Sequence, residues 1–255
     1  MALPGGGSRD VAAHRSGNHL VVECESGCPA TLQAHLLTRL RSSLELLRSP
    51  TDTETLLQCV ASELRRTYAY DRVMVYRFAP DWSGKVIVED RAASLESFLG
   101  QHFPSGDIPA QARELYRRSL IRVIGDVAYR PVPLVQAPGL APLDMSFMHL
   151  RAVSPIHCEY LANMGVQASM SVSLMVDGEL WGMIACHHYA PKPLTMVERI
   201  TAKMLGEFVS LQIVALVRAR RLELTNAAPQ CLSRFLRDSA GRGGAPAVVR
   251  GRGRA

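Results

Sequence analysis

His157 and Cys158 stand side by side, a base next to a nucleophile, in the stretch Ser154-Pro-Ile-His-Cys-Glu-Tyr160-Leu-Ala-Asn-Met-Gly165. On a helix, consecutive side chains diverge by about 100°, which spoils a nucleophile–base hydrogen bond, and no third orienting group follows. An enzyme is therefore not expected. Cys186-His187-His188 invites a metal reading, but neighbours on a strand point to opposite faces, so the three cannot converge on one ion. Cys24 and Cys28 have no second Cys/His pair at zinc-site spacing, and no metal is expected. What remains is chemistry of recognition. Arg122 and Arg151 offer fork-shaped donors suited to carboxylates, although either alone would serve equally as a solvated surface charge. His157 offers an imidazole that can donate and accept, although a lone helical histidine is as readily a core residue. Ser169 and Ser171 alternate, so their hydroxyls share a strand face. Asp107, in Phe103-Pro-Ser-Gly-Asp-Ile-Pro109, lies just ahead of a helical pattern and suits an N-cap.

These groups need a scaffold, and the periodicities supply one. Leucines 32, 36, 37, 40, 44 and 47 recur at helical spacing, Ser49-Pro50 interrupts, and Thr53–Arg66 reads as a second amphipathic helix. Arg72–Phe78 and Lys85–Glu89 read as strands around a Trp-Ser-Gly turn. A short helix is expected over 108–118, a Pro-rich loop over 130–143 and a helix near 155–163. Strands Ala168–Val176 and Glu179–His188 join through Asp177-Gly178, a tight-hairpin dipeptide. A long apolar-rich helix covers 194–225, and its Ile200, Met204, Phe208, Leu211 and Ala215 span an arc wide enough for two partners, the sheet and a second subunit. The expected class is α+β, a central antiparallel sheet flanked by helices.

The motif around His157, the Asp107-Ile108-Pro109 signature and the element order together resemble the chromophore-binding GAF domain of phytochromes, and the chain is identified as a member of that family. The resemblance implies a linear tetrapyrrole (a bilin, biliverdin in bacterial members) as cofactor. It implies that the Asp107 carbonyl and the His157 imidazole face the pyrrole nitrogens, with Ile108 and Pro109 completing the signature. Arg122, Arg151, Ser169 and Ser171 would hold the two propionates. His187 would meet the D-ring carbonyl, and Tyr76, Phe103 and Tyr160 would wall that ring. Plant and cyanobacterial members carry their attachment cysteine where Ile156 stands here, bacterial members ahead of their PAS domain. Cys158 is about 200° round the helix from Ile156. Noncovalent pigment is the expectation.

The domains then read as a PAS-like remnant over 1–30, a linker helix over 31–49, the GAF domain over 50–225 and a basic, disordered tail over 226–255. Such a fragment would be a truncated bacteriophytochrome-like photosensor without a PHY domain, or alternatively an apo GAF dimerisation or interaction module or a non-functional gene fragment. The net charge of +6 sits mostly in the tail, whose last 30 residues hold six arginines and one aspartate, so no specific nucleic-acid partner is expected. Six cysteines without a regular framework suit a reducing cytoplasm. No apolar run long enough to span a membrane is expected.

Overall fold

The computed structural model describes residues 8–241, with side chains through 227. It divides into two compact units, one up to Val214 and one from Ala215 on. The first opens with an antiparallel hairpin, β1 (Arg9–Ser16) and β2 (His19–Ser26), followed by helices α1 (Ala30–Leu46) and α2 (Thr53–Tyr68). Asp52 caps α2 by accepting the Thr55 N–H at 2.8 Å. Strands β3 (Arg72–Phe78), β4 (Gly84–Arg91) and β5 (His102–Phe103) follow. A 3-10 turn (Ser105–Asp107) leads to α3 (Ala110–Arg118), and β6 (Ile121–Ile124) precedes α4 (Pro155–Asn163). Then come β7 (Ala168–Val176), β8 (Glu179–His188) and α5 (Met196–Gly241).

Six strands form one antiparallel sheet in the order β5-β4-β3-β8-β7-β6, so α+β with a central sheet holds. Asp177 and Gly178 both have positive φ, +50° and +82°, as the tight β7–β8 turn requires. Period-two alternation splits the sheet residues. Val73, Val75, Val172, Ile184 and Cys186 are fully buried on the face that packs on α2 and α5, with Leu56, Val60, Ala202, Val209 and Ile213. Met74, Tyr76, Ser169, Ser171 and His187 turn to the other face, toward the site.

Three expectations are corrected. Asp107 is no N-cap: the capping position of α3 is Pro109, without a side-chain cap, because the chain makes a separate 3-10 turn first. The tail is not disordered from 226, since α5 continues to Gly241. Ala, Gln, Leu and Arg in 227–240 are good helix formers, and the glycine-rich run starts only at 241. Residues 242–255, with the rest of the basic tail, lie outside the described residues. Finally, among the described residues α5 is by length and composition apolar enough to cross a membrane, with a mean hydropathy of 1.6 over an 18-residue window inside Met196–Ala227. Part of that apolarity is its stripe on the sheet, Ala202, Leu205, Val209 and Ile213.

A buried ion pair locks the β3–β4 end of the sheet. Arg72, 1% exposed, pairs with Glu89 and donates to the Glu96 carbonyl at 2.7 Å. Glu89 also accepts from the Ser97 hydroxyl at 2.6 Å and the Phe98 N–H at 3.1 Å. Burial alone would raise the Glu89 carboxyl, but these donors and Arg72 hold it below the usual carboxylate range. Arg72→Met should destabilise the fold by about 3 kcal/mol, because one partner of a buried pair is left behind. Urea unfolding measures it, and a loss below about 1 kcal/mol would mean the pair does not clamp this segment.

Candidate functional site

The inward rows of the sheet are read off the register. Arg122 pairs with Ser171, Ser171 with Ala185 and Ala185 with Met74, one row across β6, β7, β8 and β3. The next row carries Ser169, His187 and Arg72. Between Val75 and Tyr76 the β3–β4 register shifts, leaving Ile87 as the extra residue of a bulge in β4, which turns Val86 to the site face opposite Tyr76 while Val88 stays opposite Val75. Gly84 makes room for the Tyr76 ring, since a Cβ there would sit 1.7 Å from Tyr76 Cζ.

Over this face lies α4, with Pro155 at its first turn. Cys158 and Leu161 face inward to a cluster with Ile124 and Val166. His157 and Tyr160 face the sheet's open side and stack, their rings 6.3 Å apart and 9° from parallel. Ile156 is 78% exposed at the rim. The helix thus separates Cys158 from its neighbours, and burial pushes its thiol up, away from the reactive thiolate. His187 and His188 part in the same way: His187 is buried toward the site, while His188 Nδ1 lies 2.7 Å from Asp71.

Two cavities open between sheet, α3 and α4, with empty volumes of about 740 and 1510 Å³ including their mouths. They share Asp107, Ile108, Tyr116, His157 and Tyr160 as lining, so they adjoin at those side chains. Tyr76, Phe103, Ser169, Ser171 and His187 line the smaller cavity. Pro109, Arg122 and Arg151 line the larger one. Each of the twelve residues singled out in the sequence therefore lines one or both of two adjoining cavities. Tyr160 donates a long hydrogen bond, 3.4 Å, to Asp107. Sequence reasoning missed Phe98 and Tyr116. Phe98 belongs to an irregular segment with no periodic signal of its own. Arg72 stacks on the Phe98 ring at 3.8 Å.

The electrostatics are one-sided. Among the described residues neither Arg122 nor Arg151 has an ion-pair or hydrogen-bond partner, and the Nε of Arg151 is buried without one. Burial, then the like charge of Arg151, pushes Arg122 down to about 10, still cationic near neutrality. Burial, then Arg122, lowers His157. Burial, then Arg72, pushes His187 down to about 4, and its Nδ1 is also unpartnered. The cavities thus present two cations, one carboxylate (Asp107), two neutral imidazoles and an aromatic wall, with Asp144 acting on Arg151 from nearby. They call for an elongated, mostly apolar molecule with anionic groups at one side.

The GAF domain model matches residues 52–213. A bacteriophytochrome of Pseudomonas aeruginosa is 47% identical over 196 residues, 74% of this chain and 27% of that protein. Cyanobacterial phytochrome B of Nostoc is 44% identical over 215 residues, 82% of this chain and 28% of that protein. The chromophore-binding domain of Stigmatella aurantiaca bacteriophytochrome, a Thr289His mutant in the Pr state, superposes with a TM-score of 0.79 at 42% identity, covering 82% of this chain and 70% of that one. This chain belongs to the phytochrome family of GAF domains. It spans about a quarter of the length of the curated phytochromes it matches.

Within this phytochrome GAF domain, the shift on His187 sets a pH dependence. Its folded value lies below the unfolded one near 6.5, so the unfolded state binds more protons between the two. The neutral imidazole's contribution to stability is thus complete above about 6.5 and lost as pH falls toward 4. Nuclear magnetic resonance titration should show His187 neutral at pH 5.5, and a midpoint near 6.5 would contradict its burial in the cavity wall.

Proposed function

We propose that the two adjoining cavities together bind a linear tetrapyrrole, biliverdin, noncovalently, and that the chain works as a photosensory module. The observation that carries this reading is the pair of guanidinium groups with no ion-pair or hydrogen-bond partner among the described residues, set beside an apolar slot lined by aromatic side chains. Arg122 and Arg151, with Ser169 and Ser171, would hold the two propionates. His157 and the Asp107 carbonyl would meet the pyrrole N–H groups, and Ile108 and Pro109 would shape that wall. Tyr76, Phe103 and Tyr160 would enclose the terminal ring, with His187 positioned as a neutral hydrogen-bonding partner for its carbonyl. A bound bilin supplies the light absorption, and its isomerisation about a double bond is the switch the family uses. The protein's part is to orient it and exclude water.

Noncovalent attachment is supported by the placement of the thiols around α4. Cys158 lines neither cavity and is buried in a separate apolar cluster, while the rim position is Ile156. A second reading, an interaction module, adds to the first instead of replacing it. Ile200, Met204 and Leu211 of α5 are 48%, 46% and 69% exposed within the first unit, which supports a homodimer through this helix.

Micromolar biliverdin should produce a red-shifted absorption band, and a titration without spectral change would remove the pigment reading. Arg151→Ala should weaken binding by about 1.5–3 kcal/mol through loss of a charge-assisted contact, while the pigment-free melting temperature barely moves. Zinc-stained denaturing gels should show no pigmented band for the native chain or Cys158→Ala, and a band for Ile156→Cys, which places a thiol at the rim. Light scattering at the monomer mass across micromolar concentrations would rule out the dimer.

A further inference from the structure

β2 turns an unusual face inward. Val21, Glu23 and Glu25 alternate on the side packed against the rest of the first unit, while Leu20 and Val22 face outward. Glu23 is only 4% exposed, and a carboxylate that deep must find donors. Glu25 pairs with Arg199 of α5. Glu23 takes backbone groups instead. Its two oxygens accept the Leu150 N–H at 2.7 Å and the His149 N–H at 3.1 Å, from a segment more than 120 residues away in sequence. The β1 end of the hairpin holds the same segment further back, where the Ser16 hydroxyl donates to the Asp144 carbonyl at 2.6 Å.

The residue after Leu150 is Arg151. On its other side the Val153 N–H donates to the Tyr129 hydroxyl at 2.7 Å. The backbone is therefore fixed both before and after Arg151, in a stretch that has no helix or strand to hold it. Its guanidinium faces the wider cavity, with Nε buried and unpartnered. The hairpin itself lines neither cavity. We propose that Glu23 is a positioning residue for the anion-binding wall: its carboxylate clamps residues 149–150 and so aims Arg151 at the carboxylates of the ligand. The hairpin then acts as a distant support of the binding site and not only as a cover for α5. This inference rests on the pigment reading for the identity of the ligand, but the clamp itself does not.

The test uses the full chain and two probes, biliverdin and biliverdin dimethyl ester, in which the propionates carry no charge. Glu23→Gln keeps the size but removes the charge that draws two N–H groups. It should weaken biliverdin binding by roughly tenfold, the scale of one charge-assisted contact, and leave the ester unchanged. In an Arg151→Ala background it should cause no further loss. Glu25→Gln, which loosens the hairpin's other anchor without touching residues 149–150, should leave the preference for acid over ester as in the native chain. Equal losses for acid and ester, or a full additional loss in the Arg151→Ala background, would reduce Glu23 to a general structural role. Amide hydrogen exchange on the pigment-free protein separates the two readings. Glu23→Gln should speed exchange at His149 and Leu150 by about tenfold or more while α2 stays protected, the mark of a local opening. Unchanged exchange there overturns the clamp whatever the pigment does, whereas faster exchange with no pigment binding by the native chain sinks the pigment reading alone.

Discussion

Two arginines held near each other in a partly dry cavity, neither paired with a carboxylate among the described residues, are the constraint around which this domain is organised; Asp144 acts on Arg151 only through its field. Burial first, then the like charge of Arg151, depresses Arg122. Such an arrangement persists only on a stiff frame. Arg122 has that frame in β6, whose row runs through Ser171 and Ala185 into β3. Arg151 has no regular element and depends on hydrogen bonds from both sides of the chain, from Glu23 and Tyr129. Cations without a paired anion favour an anionic guest, because an anion relieves a repulsion already present.

At the opposite side the protein solves a different problem, keeping polar rings neutral. His187 lies next to Arg72 across β8 and β3, and burial with that neighbouring charge disfavours the imidazolium. Arg72 is itself tied to Glu89, which also gathers Ser97 and Phe98. One buried ion pair thus anchors an irregular segment, delivers Phe98 to the cavity wall and biases the protonation of His187. These are three consequences of a single pair of buried charges.

Much of this was legible in the sequence because it is periodic. The alternation in β3, β7 and β8 and the Asp177-Gly178 turn put Ser169, Ser171 and His187 on a common face, and α4 follows from Pro155 and Gly165 around an apolar stripe. The roles of the twelve singled-out residues came from the resemblance to the phytochrome family and not from period, and Arg151 lies in no regular element at all. What escaped has no period. The Ile87 bulge that turns Val86 to the site leaves no pattern in a run of β-branched residues. Phe98 lies in a segment held by side chains, and Glu23 reaches across more than 120 residues to backbone groups, which are the same in every sequence. Asp107 misled because a carboxylate before a helical stretch suits a cap, whereas two prolines flanking the turn delay α3 to Ala110. The helical extension to Gly241 was hidden by the glycines and arginines that follow it.

The account stands on one arrangement: an extended dianion lying through both cavities, its carboxylates on the two arginines and its far ring among Tyr76, Phe103 and His187. The most direct measurement is a crystal structure of the protein with biliverdin. The account predicts both propionates within hydrogen-bonding distance of Arg122 and Arg151 and no bond from the pigment to any sulfur. A pigment seated elsewhere, or reversed so that its propionates leave the arginines unpaired, would contradict it.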